Sequence, residues 1–285
     1  VAGRLTGKKE DVDIARRIAR VVIAGDSVAA PEDTVKEKHN SYKAQRLAVS
    51  PSKQLDILLG QLLTVCHVDI MPGECDPSNL TLPQQPLHPC LFPQSSRFSS
   101  FNRVTNPYEA SIDGVTLLGH SGQPVTDIAR QRLDCISSTT TTADVNEEKT
   151  DEDAMMEVVS TEEIAAIESV AGGVSLKDRL SKKGCGGEQS VDILRDTFSW
   201  GHLCPTCPDT LSCYPFQATD PFIITADHCP NLLFCGNQNE YATRLVNTSG
   251  KPLRLVSIPN FATTGMAVLV DISTPELTTT VLTFR

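Results

Sequence analysis

The sequence predicts an α/β fold with a parallel pair of strands, and three observations carry that prediction. A β-branched apolar run, a leucine-rich helical stretch and a second apolar run follow one another over residues 20–71, the order of a βαβ unit. Three apolar runs end in a glycine followed by polar side chains: VIAGDSV (22–28), IMPGECDPS (70–78) and LFCGNQNE (233–240). The last third, 194–285, reads as a series of strands separated by turn residues.

Taken in order, RVVIA (20–24) is a buried strand closed by Gly25-Asp26. A helix is expected to open at Ser50-Pro51, a cap followed by proline in the first turn. Its Leu55, Leu58, Leu59, Leu62 and Leu63 recur at helical spacing and should face the sheet. HVDIM (67–71) returns as a second strand. Six prolines between 77 and 107 make that section an extended surface loop. In ASIDGVTLLGHSG, an Asp-Gly pair between alternating apolar residues predicts a hairpin. Further on, NLLFCGN (231–237) is a buried strand, RLVNTSGKPLRLVSIP a hairpin around Ser249-Gly250, and MAVLVDI and TTTVLTF two more strands.

Charge divides the chain. Of a net −10, residues 143–168 carry −9, with ten acidic side chains against Lys149. The remainder is near neutral and lacks the clustered Lys and Arg that a phosphate backbone requires. Residues 133–190, from a Ser/Thr run through this acidic block to a Gly-rich end, are expected to be a disordered insertion holding one short helix after Ser160. It splits one domain into 1–132 and 191–285. No apolar run reaches the ~18 residues of a membrane helix. The amino-terminal VAGRLTGKKED lacks the features of a secretory signal, so the ten cysteines are expected to be free thiols, with Cys66 and Cys235 buried in strands. It also starts without Met, which fits a piece of a longer chain.

The three strand ends, set side by side, resemble the loops of calcineurin-like metallophosphoesterases, which hold two metals with Asp-x-His, Gly-Asp-x-x-Asp, Gly-Asn-His-Asp/Glu and Gly-His-x-His. The resemblance implies a sandwich of two mixed β-sheets flanked by helices. Asp26 falls at the bridging carboxylate, but the later acid falls on Ala29. Glu74 stands at the asparagine position, Cys75 at the histidine, and Asp76 alone agrees. Asn237 and Asn239 occupy both histidine positions of the last loop. Amide carbonyls do not replace two imidazoles around divalent cations, so these positions are expected to be a relic, with no metal, cofactor or catalytic residue. His67 and His120, near strand ends, are expected to be polar surface residues.

One family combines such a scaffold with such losses. PGECDPSNLTLPQQPLHPCLFP, VTNPYEASIDGVTLLGHSGQPVTDI, PDTLSCYPFQATDPFII and CPNLLFCGN resemble the small (B) accessory subunits of eukaryotic replicative DNA polymerases, in particular their delta branch. The resemblance implies an inactivated phosphoesterase domain, with an OB-fold and the first strand upstream of Val1. It also implies a nuclear, non-catalytic scaffold in replication and repair. Its partners would be the carboxy-terminal zinc and iron–sulfur module of the delta catalytic subunit and a further accessory subunit, with DNA met only indirectly. The rival reading is a residual metal-dependent phosphoesterase or 3′–5′ exonuclease resting on Asp26 and Asp76.

Two features stand apart from the strand ends. Cys204-x-x-Cys207, with Cys213 and His202 nearby, has no second cysteine pair at the spacing of a structural zinc site. The Pro-rich loop is expected to expose Leu80, Leu82, Leu87 and Leu91 as partner contacts, because an extended segment presents apolar anchors at little entropic cost.

Overall fold

The computed structural model describes residues 9–28, 41–142, 186–215, 219–225, 229–248 and 251–284. Helix α1 (Lys9–Arg17) leads into β1 (Arg20–Ala24), α2 (Ser41–Leu63) and β2 (His67–Met71). Strands β3 (Phe101–Arg103), β4 (Tyr108–Ile112) and β5 (Val115–His120) follow, then helices α3 (Gln123–Thr142) and α4 (Gly187–Trp200). Strands β6 (Leu232–Gln238), β7 (Ala242–Thr248) and β8 (Lys251–Pro259) precede a short α5 (Phe261–Thr264) and the pair β9 (Met266–Val270) and β10 (Thr279–Thr283).

One sheet runs β1-β2-β3, all parallel; a second runs β4-β5-β6-β8-β7, mixed; β9 and β10 pair antiparallel. Side-chain alternation stacks these into layers. On β2, Val68 and Ile70 pack with Leu59 and Leu63 of α2, whereas Met71 turns inward to Tyr108, Leu117 and Phe234 of the second sheet. On β6, Leu232 and Phe234 join that inner core, while Leu233 and Cys235 meet Val125 and Ile128 of α3 and Val191 and Leu194 of α4. The order is helix, sheet, sheet, helices. Each fully buried leucine in it is worth about 1.5–3 kcal/mol.

A buried polar link crosses the two sheets. The Asp69 carboxylate on β2 accepts from Arg20 Nη1 at 2.6 Å, Tyr108 Oη at 2.6 Å and Asn102 Nδ2 at 2.8 Å. Burial first, and then the bond to Asp69, push the Tyr108 phenol well above its ordinary value.

Several expectations need correction. Helix α2 begins at Ser41, with Pro51 inside it rather than at its start. Leu59 and Leu63 face the sheet, but Leu58 points to solvent beside an exposed Ile57. The section 72–107 is no surface excursion, because Leu82, Gln84, Leu87, Phe92 and Ser95 are buried and β3 lies within it. The Asp56 carboxylate pins that section to α2, accepting the N–H groups of Gln94 at 2.9 Å and Ser95 at 2.8 Å. Burial disfavours the Asp56 anion, but the bonds from Ser95 and Gln94 outweigh it and hold its carboxyl below the ordinary range.

The expected insertion is helical at both ends, since α3 runs to Thr142 and α4 starts at Gly187. Its remainder, 143–185, and the expected helix after Ser160 lie outside the described residues. Cys66, Cys204 and Cys235 are buried and in no disulfide, while Cys75 and Cys90 are exposed. No helix among the described residues is long and apolar enough to cross a membrane.

Candidate functional site at the converging strand ends

The carboxyl ends of β1, β2, β5 and β6 meet at one place, where ligands gather in open α/β sheets. After β1 the chain turns through Gly25 at φ 83° and Asp26 at φ 54°. After β2 it turns through Pro72-Gly73. A Cβ on Gly73 would run into the Asp26 nitrogen and carboxylate, so only glycine permits the two turns to touch. After β6, Asn237 also adopts a positive φ, 55°, a region asparagine tolerates better than most residues.

The side chains expected at this place are there, and their polar atoms close the loops. Asp26 Oδ1 accepts the Cys75 N–H at 2.8 Å. Asp76 Oδ1 accepts the Val28 N–H at 2.6 Å and Oδ2 the Gly73 N–H at 2.8 Å. Asn237 Nδ2 donates to the carbonyls of Ala24 at 3.1 Å and Ser121 at 3.0 Å. One amide therefore ties the ends of β1, β5 and β6 across both sheets. Glu74 and Cys75 point outward, exposed, and Asn239 is half-buried. Ala29 lies outside the described residues.

Electrostatics follow from burial. Asp76 is 4% exposed, and loss of solvent pushes its carboxyl up, against the two backbone N–H groups and with help from the Asp26 charge. Among the described residues, no three His, Cys, Asp or Glu side chains are arranged to hold a cation. His67 is exposed at the start of β2, the end of the strand away from these loops. His120 is buried, not a surface residue: its Nδ1 accepts the Gly122 N–H at 3.1 Å, Nε2 has no partner among the described residues, and burial lowers its pKa to about 4. It is a neutral core imidazole.

Beneath the loops lies an amide network that the sequence did not disclose. Asn106 Nδ2 donates to Gln84 Oε1 at 2.7 Å and Ser121 Oγ at 2.8 Å, and Gln84 Nε2 to the Gly73 carbonyl at 3.1 Å. Gln123 Nε2 closes it on Gln84 Oε1 at 3.1 Å. The Pro-rich section is thus stitched to β5 and to the turn after β2. Its apolar residues obey the same logic. Leu82 and Leu87 are 2% and 0% exposed, and so belong to the core rather than to a contact surface; Leu91 is half-buried, and of the four Leu80 alone is open, at 67%. The Cys204 cluster has no zinc geometry among the described residues, because His202 accepts the Cys204 N–H through Nδ1 and faces Asp220 through Nε2.

The family model for the B-subunits of DNA polymerases alpha and epsilon matches residues 5–244. The chain is 35% identical over 277 residues to the DNA polymerase delta small subunit of Arabidopsis thaliana, covering 97% of this chain and 50% of that protein. It is 34% identical over 278 residues to DNA polymerase delta subunit 2 of Drosophila melanogaster, at 96% and 51% coverage. It is 33% identical over 284 residues to the DNA polymerase delta small subunit of Saccharomyces cerevisiae, at 97% and 50% coverage. The chain spans about half the length of these relatives.

Proposed function

The chain belongs to the B-subunit family of DNA polymerases alpha and epsilon, and on that premise we propose that it is a non-catalytic scaffold of a DNA polymerase delta complex. It acts in the nucleus in replication and repair. Its α/β sandwich, a calcineurin-like phosphoesterase without its metals, holds the carboxy-terminal zinc and iron–sulfur module of the catalytic subunit next to a further accessory subunit, and DNA is met through those partners. The scaffold is one split domain, whose first part runs through α3 and whose second part resumes at α4, and an OB-fold belongs upstream.

The observation that carries this reading is the use of the site's polar atoms. Asp26 and both oxygens of Asp76 accept backbone N–H groups, and Asn237 turns its amide nitrogen, a donor, inward. A pair of divalent ions needs converging oxygen or imidazole lone pairs. This donor set does not fit them. The delta small-subunit names of the relatives support the choice of complex. Of the four loop leucines, Leu80 alone retains the exposure a partner contact needs.

Co-expression of the full-length chain with the catalytic subunit's carboxy-terminal segment tests the proposal, with metal analysis of this chain purified alone. The scaffold reading expects co-elution and no stoichiometric manganese, iron or zinc on this chain. Failure to co-elute defeats the scaffold. Two metals per chain, with phosphodiester hydrolysis lost in Asp26→Ala, would instead establish the hydrolase.

A further inference from the structure

Three of the chain's thiols meet away from the strand ends, and the function proposed above does not use them. Cys204 is sealed in the core with Leu203, Phe222 and Val125. Cys204-Pro205-Thr206-Cys207 turns back on itself, with the Cys207 N–H donating to the Cys204 carbonyl at 3.1 Å. That turn sets Cys204 and Cys207 side by side, close enough for each to perturb the other's thiol, and Cys213 acts on Cys207 as well. Cys213 is held in place by the Pro-rich section, since Leu82 donates to the Ser212 carbonyl and Tyr214 donates to that of Leu82, both at 2.9 Å. Cys207 is half-buried, packed against the edge of that core, and is more exposed than Cys204.

We propose that Cys207 and Cys204 form a reversible redox pair that reacts with low-molecular-weight disulfides of the glutathione class. The Cys207 thiolate attacks one sulfur of the small disulfide, forms a mixed disulfide and releases one thiolate. The Cys204 sulfur then gives up its proton and attacks Cys207, which expels the second small thiolate. Two protein thiols are oxidised to a disulfide, and one small disulfide is reduced to two thiols.

The geometry assigns the roles. Cys207 is the more exposed member, and thiol donation from Cys204, with a second bond from Cys213, lowers its pKa against the effect of burial. Cys204 donates that bond, is buried, and is pushed up accordingly, which fits a resolving thiol that waits for an activated partner. Cys204 shares a hydrogen-bonded turn with Cys207, whereas Cys213 sits on a separate backbone bridge. The pair therefore closes within the turn, and Cys213 stays reduced.

The test uses the full-length chain, reduced and then exposed to oxidised glutathione, quenched with N-ethylmaleimide and mapped by mass spectrometry. Cys207 should alkylate about tenfold faster at neutral pH than the exposed Cys75. Oxidation should yield a Cys204–Cys207 disulfide that dithiothreitol reverses. Cys213→Ser should leave that disulfide intact, and Cys204→Ser should trap Cys207 as its glutathione adduct, with circular dichroism confirming that both variants are folded. A Cys207–Cys213 bond, a Cys207 no faster than Cys75, or one zinc per chain in the reduced protein would overturn the proposal.

Discussion

Replacing Asp76 with alanine separates a structural carboxylate from a catalytic one. The substitution removes the acceptor of the Val28 N–H at 2.6 Å and of the Gly73 N–H at 2.8 Å. Hydrogen bonds to a charged group are worth about 1.5–3 kcal/mol each, so the gross loss is roughly 3–6 kcal/mol. Burying the charge already costs stability, which brings the net loss to about 2–4 kcal/mol. At about 2–4 °C per kcal/mol for a domain of this size, the melting temperature should fall by roughly 5–15 °C. The sign of the pH dependence follows from burial. Asp76 titrates above its ordinary 3.8 in the fold, so its contribution is fullest below that value and shrinks as pH rises through the raised one. The penalty of Asp76→Ala should accordingly be larger at acidic pH than at pH 8. Differential scanning calorimetry on the full-length chain reads both effects. A variant that melts within about 1 °C of the parent, yet loses bound metal or hydrolytic activity, would refute the structural role.

Three further outcomes are expected. His120 titrates at about 4 in the fold against 6.5 when exposed, so stability should fall by roughly 3 kcal/mol as pH drops through that window, and His120→Leu should flatten the slope; an unchanged slope in urea titrations counts against a buried neutral imidazole. Leu87→Ala should cost about 2–5 kcal/mol, while Leu80→Asp stays within about 0.5 kcal/mol and weakens co-elution with a partner subunit; the reverse pattern in denaturation and pull-down assays would restore Leu87 as a surface contact. Asp56 is held below its ordinary 3.8, so its stabilisation is present above that pH and is lost as pH falls through the lower folded value; Asp56→Asn should soften the acid limb of the stability curve, and an identical limb would argue against the contact with Ser95.

Local signals were legible in the sequence, and long-range ones were not. The hairpin β4–β5 was plain from Asp113-Gly114, which take φ 50° and 81°, the geometry of a two-residue primed turn. The βαβ unit and the β7–β8 hairpin likewise follow from patterns a few residues long. Helix α4 was missed because its Gly-rich start resembles the acidic stretch before it, although Val191 and Leu194 sit at helical spacing. Ser50-Pro51 misplaced the start of α2, because a long helix tolerates an internal proline at the loss of one hydrogen bond. In the Pro-rich section no periodicity tells Leu82 and Leu87 from Leu80; only their tertiary neighbours do. At the strand ends, Asp26, Asp76 and Asn237 could be named from sequence, but their partners could not. Gln84, Asn106 and Gln123 carried no local mark at all, since their network exists only once distant segments meet.

On the proposed reading, the hydrogen bonds at the strand ends keep the shape of the site without ions. Carboxylates crowded at the ends of parallel strands repel one another unless something neutralises or divides them. Here Asp76 accepts two backbone N–H groups and Asp26 one, while burial and the Asp26 charge push the Asp76 carboxyl towards its neutral form, so the crowding is eased without a cation. Asn237 completes the exchange: its amide spans the carbonyls of Ala24 and Ser121, and an imidazole at that position would offer a single ring nitrogen per protonation site rather than two hydrogens on one atom. Those bonds lock the two sheets in one relative position without depending on the supply of metal. On the proposed reading, a subunit whose task is to hold others in register gains more from that fixed geometry than from an exchangeable ion.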